Sequence, residues 1–220
     1  MMRHLAILGI ERIAVVYFDN EFGRDGNDRA RGMAKAYDSV KLSSVPLRPG
    51  PAGVEEAAQK LRTASPQATI LYSPVGPAVQ LVNRFRHLGG RTTFYGLSVI
   101  SGDALLAGLG AGASDFVVAQ VMPSGTKQGW ALVQDCRNAL KQSGLEYRGA
   151  GQLEGCVIGA VTVEAIRRCG TDVSGRSIAR ALESKPISLG DFELRFSPSN
   201  HNGSQLVDLG LVTREGKITR

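Results

Sequence analysis

Residues 13 to 18, Ile-Ala-Val-Val-Tyr-Phe, form an unbroken run of apolar β-formers with none of the polar alternation of a half-exposed strand. Such a run fits a strand buried on both faces of a parallel sheet, and parallel strands need a crossover helix between them. The chain supplies that alternation. Ala30, Met33, Tyr37 and Val40 recur at helical spacing, with Gly23-Arg-Asp-Gly26 as the turn leading in and Asp25 as the expected cap. Strand patterns follow at 42–47, 68–72, 93–95 and 116–121, and helical patterns at 54–64, 78–88 and 103–109. Val54, Ala57, Ala58 and Leu61 share one helix face, and Ala78, Leu81, Val82 and Phe85 another. Five strands interleaved with helices predict a doubly wound, parallel α/β domain over residues 1–121.

After Met122 the grammar changes. Segments 128–142, 153–168 and 174–183 are all helical, with no buried strand between them. The small-residue face of Gly155, Gly159, Ala160 and Val163 suits close packing on a sheet that the sequence does not offer, so 122–186 reads as an incomplete, mainly helical part. Strand patterns return at 192–196 and 206–212 around the polar turn 197–204, predicting a long-looped hairpin. Glu215-Gly216 closes it before a final short strand, and 187–220 is expected to rejoin the first domain.

The net charge of +6 raises the question of nucleic acid, but residues 1–120 and 121–220 each carry 13 Lys/Arg against 10 Asp/Glu. The densest basic stretch, Arg84, Arg86, His87 and Arg91, reads as a solvated helix end, and no nucleic-acid partner is expected. Cys136, Cys156 and Cys169 form no CxxC pair and have no histidine at zinc spacing, which argues against a structural metal. Buried free thiols are the expectation, with a Cys136–Cys156 or Cys136–Cys169 disulfide as the alternative in an exported protein. No cofactor is expected, since Gly23-Arg-Asp-Gly26 fits neither a phosphate loop nor a dinucleotide fingerprint. His201 reads as a turn residue rather than a base. Asp19 at a strand end, with Asp25 nearby, leaves a metal-dependent α/β enzyme as one alternative. The short apolar stretch 5–10 lacks the length and cleavage site of a signal peptide, which on its own indicates a cytoplasmic product.

Four segments, in order, carry a resemblance: Gly9-Ile-Glu-Arg-Ile-Ala-Val-Val-Tyr-Phe-Asp-Asn-Glu-Phe-Gly-Arg-Asp-Gly26, Phe94-Tyr-Gly-Leu-Ser98, Leu153-Glu-Gly155 and Phe196-Ser-Pro-Ser-Asn-His-Asn-Gly-Ser204. With the α/β grammar, they make the chain resemble the later part of type I periplasmic solute-binding proteins of the branched-chain amino-acid-binding group. The resemblance implies two lobes joined by crossovers and a solute held at the carboxyl ends of the strands. Residues 1–121 and 187–220 would be the second lobe and 122–186 a helical remnant of the first, with crossovers near 122–125 and 185–190.

The family also has an export signal and first-lobe strands ahead of the position of Met1. This implies that Met1 is an internal start and that the intact protein is periplasmic. At Cys156, relatives often carry a tyrosine. The implied function is the non-enzymatic, solute-binding component of an ABC-type importer, with a small polar organic solute and a membrane permease as partners. A ligand-sensing domain of a regulator is the other alternative.

By the same resemblance Phe22 would stack against the solute, although it also reads as a plug over the helix start. Ser73 and Val75 would line the next loop. Ser98 stands where relatives that bind amino acids often use an acidic residue for the ammonium group. A serine cannot supply that charge, which points away from a free α-amino acid held in that manner. Self-association through exposed faces of the helices at 128–142 and 153–168 is expected, as is weak solute binding by the 220-residue form alone.

Overall fold

The computed structural model describes residues 1–100, 103–123, 131–213 and 218–219. These divide into two compact units: Met1–Ala119 with the chain from Leu209 onward, and Gln120–Asp208.

The first unit runs α1 (Met2–Ile7), β1 (Arg12–Phe18), α2 (Glu21–Ala34), β2 (Lys41–Leu47), α3 (Pro51–Ala64), β3 (Ala68–Tyr72), α4 (Val75–His87) and β4 (Thr93–Gly96). It continues through a 3-10 turn at Ser98–Ile100, α5 (Asp103–Leu109), a second 3-10 turn at Gly110–Asp115 and β5 (Phe116–Gln120). The order across the sheet is β2-β1-β3-β4-β5, with parallel pairing throughout. Consecutive residues of β1 divide between two cores, as its unbroken apolar run requires. Ala14 and Val16 join a core under α3, α4 and α5, while Ile13 and Val15 join one under α1 and α2. In the first core the Phe94 ring stacks on Phe116 at 5.3 Å and meets Phe85 edge-on at 5.9 Å.

The start of α2 differs from the sequence expectation. The helix begins at Glu21, and Asn20 caps it, its Oδ1 accepting a hydrogen bond from Gly23 N at 2.9 Å. Asp25 lies inside the helix and pairs with Arg29 at 2.8 Å. Gly23 and Gly26 are therefore contact residues rather than a turn: a Cβ would strike the Phe18 carbonyl at the first and the Tyr72 ring at the second. Met33, expected on the buried face, is 53% exposed, because that face is Gly23, Gly26, Asn27 and Ala30.

The second unit contains α6 (Ala131–Gln142), α7 (Ala150–Cys169), α8 (Gly175–Ser184), β6 (Ile187–Leu189) and β7 (Phe192–Leu194). The expected hairpin between 192–196 and 206–212 does not form. Phe192–Leu194 instead pairs antiparallel with Ile187–Leu189 across the two-residue turn Gly190-Asp191. Ile187, Phe192 and Leu194 bury against Leu132, Val133, Leu153 and Val157, so 187–208 belongs with the helices rather than with the first domain. The later segment becomes β8 (Asp208–Val212), which lies between β5 and β9 (Ile218–Thr219) in the large sheet and pairs antiparallel with β9. The expected helix residues 128–130, part of the first crossover (124–125) and Glu215-Gly216 lie outside the described residues.

The free-thiol expectation is corrected for two of the three cysteines. Cys136 on α6 and Cys156 on α7 form a disulfide with Cα atoms 5.7 Å apart, and Cys169 is free. The packing of α6 on α7 makes these residues neighbours across 20 positions of sequence. Arg168 ties α7 to the end of α8. Its guanidinium donates to the carbonyls of Ala181 (3.2 Å), Lys185 (2.8 Å) and Pro186 (3.0 Å), and pairs with Glu164 at 2.9 Å. Ser174 and Ser177 form a capping box at the start of α8. Among the described residues, no helix is long and apolar enough to cross a membrane.

Candidate functional site

The connections leaving β1 and β3 depart to opposite faces of the sheet. From β1 the chain enters α2, whose Ala30 and Ala34 lie in the core with α1. From β3 it enters α4, whose Ala78, Leu81, Val82 and Phe85 lie in the other. Where neighbouring strands send their helices to opposite faces, the carboxyl edge of a parallel sheet opens into a crevice. Strand register sets the positions at that edge: Tyr17 is level with Tyr72, and Leu71 with Gly96. Three successive loops, 19–20, 73–74 and 97–98, therefore follow β1, β3 and β4 side by side.

The four residues singled out from sequence fall on these loops or the first helical turns after them. Phe22 is in the first turn of α2 and 49% exposed. Ser73 is fully buried, and its hydroxyl donates to the Pro74 carbonyl at 3.1 Å. In this state the hydroxyl serves the turn, and the segment offers backbone groups to the edge. Val75 opens α4 and packs half-buried on the first core. Ser98 begins a 3-10 turn and is half-buried.

Sequence reading singled out Asp19 but missed the arginines that pair with it. Asp19 Oδ1 is 3.2 Å from Arg24 Nε and its Oδ2 is 4.0 Å from Arg48 Nε, and Arg48 also reaches Glu56 at 3.2 Å. Lys60 and then Arg48 hold the Glu56 carboxyl below its ordinary range. Arg48 had no signal in the sequence, because its place beside Asp19 depends on the β1–β2 register that sets Phe18 against Leu47. This arrangement also bears on the metal-enzyme alternative. Both carboxylate oxygens of Asp19 face arginines, Asp25 faces Arg29, and among the described residues no group of three His, Cys, Asp or Glu could hold a metal ion. Behind the edge, burial pushes the Tyr72 phenol up, and the nearby Asp25 carboxylate adds to the effect.

At the carboxyl edge of this parallel sheet, where the helices after β1 and β3 leave to opposite faces, an exposed aromatic ring and successive loops come together, which is the general location of ligand sites in open α/β folds. Residues 1–217 match the periplasmic binding protein family, and the chain belongs to it. That is a family of solute-binding proteins and not of enzymes.

A crystal structure of a possible leucine/isoleucine/valine-binding protein from Rhodopirellula baltica SH 1 is similar over 100% of this chain and 62% of its own, with 25% identity and a TM-score of 0.90. A substrate-binding periplasmic protein from Ralstonia solanacearum matches over 100% of this chain and 64% of its own, with 27% identity and a TM-score of 0.84. An extracellular ligand-binding receptor from Verminephrobacter eiseniae ef01-2 matches over 99% and 63%, with 23% identity and a TM-score of 0.88. This chain thus spans less than two thirds of the length of each. Comparison with curated proteins finds no match.

Proposed function

We propose that this chain is part of the solute-binding component of an ABC-type importer. The β1/β3 switch point of the sheet, with Phe22 exposed in the turn that follows β1, supports this reading. The first unit would form most of one lobe and the second unit part of the other, with a small polar organic solute taken at the carboxyl edge and delivered to a membrane permease. Solute would act by favouring the closed arrangement of the lobes. An amino acid or a related compound is the proposed class, supported by family membership and by the name of the Rhodopirellula protein. Ser98 carries no charge, so an ammonium group would need another acidic partner. Family membership supports a periplasmic location for the intact protein, and a disulfide suits that oxidising compartment.

The test is an amide NMR titration of this chain with a panel of amino acids, their amides and aromatic acids. A cognate solute should shift the amides of Phe22, Ser73, Val75 and Ser98, and Phe22→Ala should weaken it roughly tenfold or more, the loss of one buried aromatic contact. Shifts confined to the second unit, or an affinity indifferent to Phe22→Ala, would overturn the site.

We also propose that in the 220-residue form, where the α7 face suited to a sheet is exposed, α7 pairs two copies of the chain. Ile158, Val163 and Ile166 are 61%, 55% and 42% exposed along it, and among the described residues nothing lies within 4 Å of where a Cβ would sit at Gly151, Gly155 or Gly159, which leaves room for close approach of an identical helix. Sedimentation velocity should show a concentration-dependent dimer that Ile158→Asp/Val163→Asp abolishes. A monomer at concentrations on the order of 100 µM would reject the pairing, since a dimer with a micromolar Kd is mostly formed there.

A further inference from the structure

We propose that Asn202 is a site of spontaneous covalent modification, where the Asn202-Gly203 pair closes to a succinimide that water opens to aspartate or isoaspartate. The Gly203 backbone nitrogen attacks the side-chain carbonyl carbon of Asn202. A C–N bond forms, and the side-chain nitrogen leaves as ammonia. Hydrolysis of the new bond gives aspartate with the main chain unchanged. Hydrolysis of the original peptide bond gives isoaspartate, whose main chain runs through the former side chain and is one carbon longer. The net reaction exchanges water for ammonia, and nothing is oxidised or reduced.

The fold supplies the conditions for this step. Position 203 must be glycine, because a Cβ there would lie 2.5 Å from the Phe196 ring. Packing thus demands after Asn202 the one residue with no side chain to hinder attack by its own nitrogen. The reacting groups are also unengaged: among the described residues, neither the Asn202 side chain nor the Gly203 N–H has a hydrogen-bond partner. Asn202 is exposed, and with Gly203 and Glu154 it lines an open recess of about 700 Å³, so water reaches the ring.

The other five asparagines lack these conditions, and none of them precedes a glycine. Asn20 caps α2, Asn27 is buried within that helix, and Asn83 donates to the Gly108 carbonyl at 3.0 Å. Asn138 lies inside α6, and Asn200 Oδ1 accepts the Asn202 N–H at 3.0 Å. Asp25-Gly26 could close the same ring only from within α2, where helical hydrogen bonding holds the Gly26 amide and Arg29 holds the carboxylate. Of the two products, isoaspartate has the structural effect. An added main-chain carbon shifts Gly203 away from the Phe196 ring and from Arg195, whose N–H its carbonyl accepts at 2.8 Å. Phe196 packs on the core of the second unit, so the disturbance reaches that core. Aspartate only adds charge to a recess that already holds Glu154.

The test is to age the 220-residue chain at neutral and mildly alkaline pH and follow every asparagine by peptide mass mapping. The peptide carrying Asn202 should gain about one dalton, and about two more in heavy-oxygen water. Its rate should exceed that of any other asparagine roughly tenfold or more. Asn202→Gln should abolish the change, since its ring would need a further member. Hydrogen exchange over residues 195–206 should quicken roughly tenfold in the isoaspartate fraction, but not in Asn202→Asp, which adds the charge without lengthening the main chain. A peptide of residues 199–205 is the unfolded reference. Conversion of that peptide while the folded chain keeps Asn202 intact would overturn the proposal. So would earlier conversion of another asparagine, or exchange that isoaspartate leaves unchanged.

Discussion

Phe94→Ala is expected to destabilise the first unit by about 3–5 kcal/mol, the cost of deleting a fully enclosed aromatic side chain. Phe94 is 1% exposed on a central strand, between the edge of Phe85 and the face of Phe116, with the Arg86 guanidinium 5.9 Å from its ring centroid. Its neighbours belong to α4 and β5, secured by separate hydrogen-bonded elements, so the space left behind cannot close without moving the sheet. Because the chain has two units, a single melting curve is the wrong measure. Hydrogen exchange read peptide by peptide should show protection in β3 and β4 falling roughly a hundredfold to several-thousandfold, while peptides of α6 and α7 keep theirs. Phe94→Leu, which retains most of the volume, should cost much less and keeps the comparison open if the alanine variant does not fold. Equal loss of protection in both units would contradict separate cores.

Removing the disulfide is expected to act on the other unit. Cys136→Ala/Cys156→Ala opens a covalent loop spanning 20 positions, and chain entropy alone puts its contribution near 3 kcal/mol. The bridge lies within the core that joins Leu132, Val133, Leu153 and Val157 to β6 and β7, so the whole of that core should loosen. Protection of α6, α7 and the 187–194 hairpin should fall on the order of a hundredfold, with the parallel sheet unaffected. A reducing agent should reproduce the effect in the parent chain and leave the double variant unchanged. Protection that survives both treatments would show that helix packing alone holds this unit.

The alternating grammar of residues 12–120 is legible because each segment advertises its own burial. The run Ile13–Phe18 has no polar face to give to solvent, and Ala78, Leu81, Val82 and Phe85 trace one stripe of a helix that is then buried. The same logic failed at Gly23-Arg-Asp-Gly26. Two glycines read as a turn by their conformational freedom, but here they are demanded by the approach of α2 to Phe18 and Tyr72, a tertiary contact. It failed again at 187–212. Both 187–189 and 206–212 can pair with other strands, and the choice was made by the apolar surface of α6 and α7, which captures Ile187, Phe192 and Leu194. The placement of Phe22, Ser73, Val75 and Ser98 along one edge follows from strand order, because loops after parallel strands share one edge whatever the detailed packing.

By itself, then, the sequence determined the elements of the parallel sheet and the edge on which its connecting loops fall, since periodicity and strand direction are local properties. Tertiary structure alone decided which distant side chains meet. Arg48 reaches Asp19 through the β1–β2 register, and Cys136 finds Cys156 through helix packing. The basic stretch at 84–91 shows the difference most plainly. In sequence it is one cluster, but the fold commits Arg84 to Glu55 and an Arg86 donor to the Gly112 carbonyl at 2.7 Å. Arg91 is left beside Arg12 and Arg62 from far along the chain. Charge is written into the sequence, whereas the balance of charge at a point in space depends on which groups the packed strands and helices carry there.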